Sequence, residues 1–283
     1  MTSSAHSAPA TAAGYADVVD LETYPIDDLD GPEGRALVES CRSQLEETGV
    51  CTLPGFVRDE AITEMIRIAE DLIPRAWRSD QRHTIYFEPV DAEVDPGHPR
   101  AHTVRSAKDG IAYDLIPADA PVRRMYESDD LTRFIAAVLG KTVLYRSADP
   151  LDAMQITAFH EGQELGWHFD NSEFSMTLMY QQPEAGGEFV YVPRLRSAEE
   201  ENYEGVRRVL HEEDTASLRT LPSAPGTLAF FRGQHALHRV TEVQGETPRL
   251  NTVLTYGERP DMRLRDLTSE LFYGRRSPAP DAR

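Results

Sequence analysis

The stretch GWHFDNSEF, from Gly166 to Phe174, places a histidine and an aspartate two positions apart, between a tryptophan and a phenylalanine. Side chains of a β-strand alternate between the two faces of its sheet, so His168 and Asp170 project from one face if this stretch is a strand. Both side chains can then reach a single metal ion. A structural polar pair on a strand has the same spacing, so the function of the pair depends on the rest of the chain.

A third metal ligand has to come from a distant strand, and the segment GQHALHRVTEV offers two histidines. His238 begins an alternating strand-like run, whereas His235 follows a turn at Arg232-Gly233, where loop geometry is expected. Eleven residues after His238, Arg249 opens the run RLNTVLTY, in which Asn251 lies on the same face as the arginine. The residues alone leave both histidines open as ligands.

The two halves of the chain differ in their hydrophobic period. Apolar residues at spacings of three and four predict helices over 34–48, 58–73 and 120–139, and irregular structure is expected over 78–108. The second half contains short β-branched and aromatic runs divided by Gly, Pro and acidic turns, namely LYRSADP, MQITAFHEG, FSMTLMYQQ, GEFVYVP, GTLAFFRG, HRVTEV and LNTVLTYG. Helices followed by antiparallel strands indicate an α+β chain whose β part is a closed sandwich or jelly roll.

No stretch has the composition of a linker, so one domain is predicted over 15–273. Its helical part is expected to extend to about residue 140 and its jelly-roll core to occupy about 141–258. Residues 1–14 and 274–283 are small, polar or Pro-rich and are expected to be disordered.

Charge and composition exclude several classes of partner. The chain has 48 acidic and 29 basic residues, a formal charge of −19, which argues against nucleic acid and anionic membranes as partners. No segment approaches the roughly 20 apolar residues of a membrane span, and the N-terminus lacks the pattern of a signal peptide. With two cysteines and no CxxC motif, a cytoplasmic protein without disulfide bonds is expected. The sequence carries no signal of oligomeric state.

The set His168-x-Asp170, His238 and Arg249 resembles the Fe(II)- and 2-oxoglutarate-dependent oxygenases. Further segments of the chain that match this family are TGVCTLPGF at 48–56, GGEF at 186–189 and PGT at 225–227. The whole pattern is similar to a bacterial subgroup related to the radical halogenases and hydroxylases that act on free lysine. The resemblance implies a double-stranded β-helix (jelly-roll) core with N-terminal helices packed on it.

The resemblance also implies a cofactor and a co-substrate. His168, Asp170 and His238 would bind Fe(II) as a facial triad of two histidines and one carboxylate, which leaves positions open for 2-oxoglutarate and O₂. His238 is preferred to His235 because its strand and the eleven-residue step to Arg249 match the family. Arg249, with Asn251 beside it, would bind the remote carboxylate of 2-oxoglutarate, for which a guanidinium offers a bidentate fork.

Asp170 distinguishes this chain from the halogenating members of the family, in which Gly or Ala replaces the carboxylate and a halide takes the vacated position. A carboxylate here therefore implies hydroxylation of an unactivated C–H bond, with succinate and CO₂ as co-products. The expected substrate is a free amino acid, leaning toward a basic one, or a similar precursor in natural product biosynthesis. Desaturation, cyclisation and a non-catalytic metal-binding or sensing jelly roll are the alternatives.

Residues that contact the substrate are less clearly marked in the sequence than the metal ligands. Trp167 faces away from His168 on its strand, which favours packing, and Arg105 falls in the segment expected to form a lid over the site. The candidates for substrate or supporting contacts are Asn171, Trp167, Gln155, Tyr145, Arg105 and His235.

Overall fold

An antiparallel sheet of eleven strands dominates the structure, a computed structural model that describes residues 14–89 and 93–280. The expected disorder of residues 1–13 lies outside these residues. The strands are β1 (Val50–Leu53), β2 (Trp77–Thr84), β3 (Thr103–Ala112), β4 (Tyr145–Arg146), β5 (Met154–Phe159), β6 (Glu164–His168), β7 (Ser175–Gln181), β8 (Ala185–Gly186), β9 (Phe189–Val192), β10 (Arg219–Thr220), β11 (Leu228–Phe231), β12 (Leu237–Val240), β13 (Val243–Gln244), β14 (Arg249–Leu254) and β15 (Tyr256–Gly257).

The large sheet has the strand order β1-β11-β7-β14-β5-β3-β6-β12-β9-β10, with β2 paired to β3. Two small two-stranded sheets, β13-β8 and β15-β4, complete the β structure of the described residues. Neighbours in the large sheet are mostly distant in sequence, as expected for a jelly roll, and the predicted α+β class with a jelly-roll core is confirmed.

The α-helices of the described residues are α1 (Pro32–Thr48), α2 (Asp59–Leu72), α3 (Pro121–Tyr126), α4 (Asp129–Val138), α5 (Tyr203–Leu210) and α6 (Asp266–Tyr273). The first four cover one side of the sheet. The apolar stripes of α1, α2 and α4 are buried in one core with residues of β7, β11 and β14, as in the edge-to-face contact of Phe134 with Phe230 at 6.0 Å between ring centroids. Because helices cover this face, the opposite face of the curled sheet is left to form a pocket.

The predicted helix over 120–139 is two helices. Ser128 lies between α3 and α4, and its Oγ accepts hydrogen bonds from the backbone N–H groups of Asp130 and Leu131. A serine followed by two aspartates is a strong N-terminal cap, and here it starts a new helix inside a continuous apolar pattern.

The irregular structure expected over 78–108 is wrong at both ends of the segment, which are strands up to Thr84 and from Thr103, whereas the described residues between them are largely irregular. β2 pairs with β3 from Trp77 opposite Gly110 to Thr84 opposite Thr103. The outer strand β2 is almost wholly polar, so it has no hydrophobic alternation by which to recognise it. Cross-strand pairs such as Arg105 with Asp80, at 3.0 Å, hold it instead.

The boundary expected at about residue 140 is also wrong, since β1 and β3 are integral strands of the sheet. β1 pairs with β11, and β3 lies between β5 and β6 in the middle of the sheet. The N-terminal half therefore supplies both the covering helices and part of the pocket wall.

The C-terminal segment is tied to the body of the protein as far as it is described. Arg275 forms an ion pair with the buried carboxylate of Asp114, with Nη2 and Oδ1 2.6 Å apart, and the backbone N–H of Ala279 donates to the same carboxylate. Disorder of the tail remains a prediction for 281–283, which lie outside the described residues. Within the described parts of the chain, the helices lack the combined length and apolarity needed to cross a bilayer.

Candidate metal centre and pocket

Two adjacent strands bring the predicted ligands together. His168 ends β6 and His238 lies opposite it on β12, and their ring centroids are 4.1 Å apart. Asp170 follows β6, and its Oδ1 is 3.5 Å from the Nε2 atom of each histidine. All three ligand atoms lie within 4.8 Å of one another, so a single ion can contact all three.

Both histidines are fixed in the tautomer that a metal requires. Nδ1 of His168 donates to the carbonyl of Gly166, and Nδ1 of His238 donates to the carbonyl of Ala236, each at 2.8 Å. Because a carbonyl can only accept, the proton is on Nδ1, and the lone pair of Nε2 points toward Asp170. The donor set, two neutral imidazoles and one carboxylate, fits Fe(II).

Burial and charge keep His168 and Asp170 in their metal-binding protonation states. Burial lowers the pKa of His168 to about 4, and the neighbouring His238 adds to the effect. Burial by itself would raise the pKa of Asp170, but its contacts with His238 and His168 outweigh burial and hold the pKa well below the usual value. Near neutral pH, His168 is therefore a free base and Asp170 an anion, as metal binding requires.

The carboxylate of Asp170 is oriented by its surroundings. Its Oδ2 accepts a short hydrogen bond from the hydroxyl of Ser175, and its backbone N–H donates to the carbonyl of Gly233 at 3.1 Å. A Cβ atom at Gly233 would lie 1.9 Å from that Oδ2, so only glycine fits beside the carboxylate. The Arg232-Gly233 turn thus provides the space in which Asp170 lies.

We expect Gly233→Ala to displace the Asp170 carboxylate and to weaken Fe(II) binding by roughly 10- to 100-fold, the size typical of changes next to a metal ligand. Titration of Fe(II) under anaerobic conditions measures this. Gly14→Ala is the control, because a Cβ there meets open space. An unchanged affinity in Gly233→Ala would show that the close packing of Gly233 does not position the carboxylate.

Arg249 is a buried cation whose guanidinium has no carboxylate partner. It is 4% exposed, its Nε donates to the carbonyl of Gly187 at 2.9 Å, and its Nη1 donates to the side-chain oxygen of Asn251. Among the described residues, no Asp or Glu lies within the 4.0 Å of an ion pair with it. Burial lowers its pKa to about 10, which leaves it charged at neutral pH. A buried guanidinium without a carboxylate partner, beside the grouped His168, Asp170 and His238, is a candidate site for an anionic ligand.

The triad and Arg249 line one cavity of about 320 Å³. The cavity wall beside His238 is aromatic. Phe189 and Phe231 pack on the His238 ring at centroid distances of 5.3 Å and 5.0 Å. Its volume lies at the lower end of the range for sites that hold small molecules.

The structure brings some of the predicted substrate residues into this cavity. Asn251, Asn171 and Gln155 line it. The side chain of Trp167 instead stacks on Arg239, and Tyr145 is among the exposed large hydrophobic residues.

Arg105 and His235 also lie away from the cavity lining. Arg105 is on β3, where it pairs with Asp80 and donates to the carbonyl of Gly162, so the expected lid is a strand. His235 belongs to the turn before β12, where its backbone N–H donates to the carbonyl of Arg232.

Sequence reasoning missed the far end of the cavity, which is lined by Lys108 of β3, Asp152 of the loop before β5, and Leu264 and Phe272 near the C-terminus. The sequence contains one signal that singles out Lys108. It has only two lysines but 27 arginines (29 basic residues less two lysines), and Lys108 is one of the two.

Comparison with known proteins agrees with this geometry. The family model described as Halogenase D matches residues 34–272, a span that contains the triad, Arg249 and the far end of the cavity. No curated protein matches the sequence.

Solved structures share the fold at low sequence identity. The non-heme α-ketoglutarate-dependent epimerase SnoN of nogalamycin biosynthesis is 14% identical with a TM-score of 0.54, over 79% of this chain and 83% of that one. SnoN in complex with Fe³⁺, α-ketoglutarate and nogalamycin RO is 15% identical with a TM-score of 0.51, over 78% and 84%. AviO1 from Streptomyces viridochromogenes Tue57 is 13% identical with a TM-score of 0.52, over 79% and 96%.

These comparisons confirm the predicted family, fold and cofactors, Fe(II) and 2-oxoglutarate. They leave the reaction and the substrate open, since likeness at such identities extends to the fold alone. Because the match takes in most of the sequence and all of the candidate site, the chain belongs to the halogenase D family, among the Fe(II)- and 2-oxoglutarate-dependent oxygenases.

Proposed function

We propose that this protein hydroxylates an unactivated C–H bond of a free amino acid or a similar small biosynthetic precursor, with succinate and CO₂ as co-products. The observation that carries the proposal is the position of Asp170, whose Oδ1 lies 3.5 Å from Nε2 of both His168 and His238. These three side chains would together hold one iron ion.

The chain's own residues hold and orient the reactants. His168, His238 and Asp170 would hold the iron, with the histidine tautomers set by the carbonyls of Gly166 and Ala236. The chemistry supplied by bound Fe(II) is O₂-dependent oxidation of a C–H bond, coupled to conversion of 2-oxoglutarate into succinate and CO₂.

Arg249 would bind the remote carboxylate of 2-oxoglutarate. Its guanidinium is oriented by the Gly187 carbonyl and by Asn251, so little side-chain entropy is lost when the carboxylate binds. The ring of Phe159, 5.5 Å from the guanidinium carbon, excludes water from the same place and strengthens the electrostatic attraction.

Halogenation is the competing reaction, because the matching family is described by that activity. A halogenase must leave a coordination position for the halide, and Asp170 fills that position here. Ser175 and the space beside Gly233 support the carboxylate, as expected for a working ligand rather than a residual one. These contacts favour hydroxylation.

We expect turnover in the presence of chloride to give a product that has gained one oxygen atom and no chlorine. Mass spectrometry of free amino acids incubated with the protein, Fe(II), 2-oxoglutarate and O₂ measures this. A chlorinated product would overturn hydroxylation, and a product short of two hydrogens would identify desaturation or ring closure. Tight iron binding without 2-oxoglutarate binding or turnover would point to a metal-binding or sensing protein.

A further inference from the structure

Two charged side chains at the far end of the cavity are left over once iron and 2-oxoglutarate have their partners. Four formally charged residues other than histidine line the cavity in the described residues, namely Lys108, Asp152, Asp170 and Arg249. Asp170 belongs to the triad and Arg249 to the 2-oxoglutarate site. One cation and one anion, Lys108 and Asp152, remain.

Lys108 has unused hydrogen-bonding capacity that is directed into the cavity. Its ammonium donates one hydrogen bond, to Oε1 of Gln155 at 2.9 Å, and lies 5.7 Å from the centroid of the Phe272 ring. Among the described residues, no carboxylate comes within the 4.0 Å of an ion pair with it. Two of its three N–H donors are therefore available to a ligand.

Burial lowers the pKa of Lys108, and the charges of Asp152 and Asp170 partly offset the effect. A partly buried ammonium that has lost hydration and has no counter-ion is unfavourable unless an anion binds there. The cost of keeping Lys108 in the cavity is thus recovered when an anionic group binds.

Asp152 complements Lys108 without pairing with it. Its Oδ1 accepts the hydroxyl hydrogen of Tyr273, and the charge of Lys108 acts on it from a distance. Burial raises its pKa to about 6, so the carboxyl group is mostly ionised at neutral pH. The cavity therefore presents a cation and an anion that are close enough to influence each other and too far apart for an ion pair.

Strand geometry separates this end of the cavity from the 2-oxoglutarate site. Gln155, Phe159 and Thr157 lie on one face of β5, and Phe159 is the partner of Arg249 in the neighbouring strand. Gln155 and Phe159 are four positions apart along the strand, so their Cα atoms are roughly 13 Å apart. The group that binds at Lys108 is therefore a different group from the carboxylate at Arg249.

We propose that the substrate is a free α-amino acid with an uncharged side chain, whose carboxylate binds Lys108 and whose ammonium binds Asp152. This inference rests on the proposed function, because it assigns the substrate of that same site. The carboxylate and ammonium of an α-amino acid match the unpaired cation and anion.

The side chain follows from the charges that are left. With Asp152 used for the α-ammonium and Asp170 for iron, the described lining offers no carboxylate to a second ammonium. The remaining wall carries no further Asp, Glu, Lys or Arg among the described residues, and it combines apolar residues such as Phe87, Leu165 and Leu264 with uncharged polar ones such as Ser79 and Gln81. The charges of the cavity therefore favour a neutral substrate over the basic amino acid to which the sequence leans.

Calorimetric binding to the protein loaded with Fe(II) and 2-oxoglutarate, without O₂, tests the inference. The probes are L-leucine, L-methionine, L-phenylalanine, L-lysine and L-arginine, with the carboxamide of the tightest neutral amino acid. We expect a neutral amino acid to bind more tightly than both basic ones. Its carboxamide should bind roughly 10- to 100-fold more weakly, the effect of losing one charged hydrogen-bonded contact.

Variants show whether Lys108 is the residue responsible. We expect Lys108→Met to weaken binding of the neutral amino acid by roughly the same factor. Its affinity for the carboxamide should equal that of the unaltered protein, because the substitution and the carboxamide remove the same contact. Asp152→Asn should weaken amino acid binding in the same way. Lys141→Met is the matched control, since the chain's other lysine forms ion pairs with Glu173 and Glu258.

Three results would overturn the inference: tightest binding by lysine or arginine, an affinity of Lys108→Met within threefold of the unaltered protein, or no binding by any of the five amino acids. Succinate release from 2-oxoglutarate without substrate tests the proposed function separately, and the control Lys141→Met should leave it within threefold of the unaltered protein. Thermal unfolding of Lys108→Met verifies that this variant is folded. If the unaltered protein released no succinate, either alone or with the five amino acids, the proposed function would be overturned. The binding data would still decide the role of Lys108.

Discussion

We expect Asp170→Ala to reduce succinate release from 2-oxoglutarate by at least roughly a thousandfold, a larger effect than the 10- to 100-fold typical of residues behind a metal ligand. The substitution removes the anionic ligand and leaves two neutral imidazoles, which bind Fe(II) weakly. It also removes the group whose Oδ1 lies 3.5 Å from both histidine Nε2 atoms. Anaerobic Fe(II) titration and a coupled assay for succinate measure the two effects.

Glu173→Gln provides the matched control for that experiment. Glu173 is three residues from Asp170 and also acidic, but it forms an ion pair with Lys141, 3.0 Å away, outside the cavity lining. Glu173→Gln should have an Fe(II) affinity and a rate of succinate release within threefold of those of the unaltered protein. Retention of more than a tenth of the activity in Asp170→Ala would contradict the assignment of Asp170 as a ligand.

The second large effect concerns Arg249. We expect Arg249→Gln to weaken 2-oxoglutarate binding by roughly 100- to 1000-fold, because it removes a buried guanidinium whose charge no carboxylate of the described residues compensates. Fe(II) affinity should remain close to that of the unaltered protein, since Arg249 is not among the grouped metal ligands. Calorimetry with 2-oxoglutarate on the Fe(II)-loaded protein measures the loss.

Arg239 offers a matched control for Arg249. It follows His238 directly, and its guanidinium stacks on Trp167 at 4.7 Å from the ring centroid rather than lining the cavity. Arg239→Gln should leave 2-oxoglutarate affinity within threefold. Equal losses in the two variants would mean that Arg249 acts through stability of the fold and not through the co-substrate.

The sequence predicts the grouping of His168, Asp170 and His238 because this grouping follows from local strand geometry. The alternation of side chains fixes His168 and Asp170 on one face, and one further strand pairing brings His238 opposite them. Arg249 and Asn251 follow from the same alternation on β14. To predict that these residues lie close together, only the order of the strands has to be known in addition to the alternation of side chains.

The rest of the site could not be predicted because it depends on where distant elements meet. Lys108, Asp152 and Phe272 come from a strand, a loop and the last helix, and no periodic pattern relates them. The polar strand β2 escaped recognition for a related reason, since its pairing with β3 compensates for the missing apolar alternation. Ser128 shows the opposite limitation, because a local cap overrode a continuous helical pattern.

The ion pair between Arg275 and Asp114 has a consequence for how substrate preference can change. It holds the end of the chain in place beyond α6, and α6 carries Phe272 and Tyr273 to the Lys108–Asp152 end of the cavity. Part of the wall at this end of the cavity therefore comes from a stretch of chain separate from the one that carries His168, Asp170 and His238. We expect exchange of residues 264–273 between relatives, with the anchor retained, to change substrate preference more than it changes Fe(II) affinity.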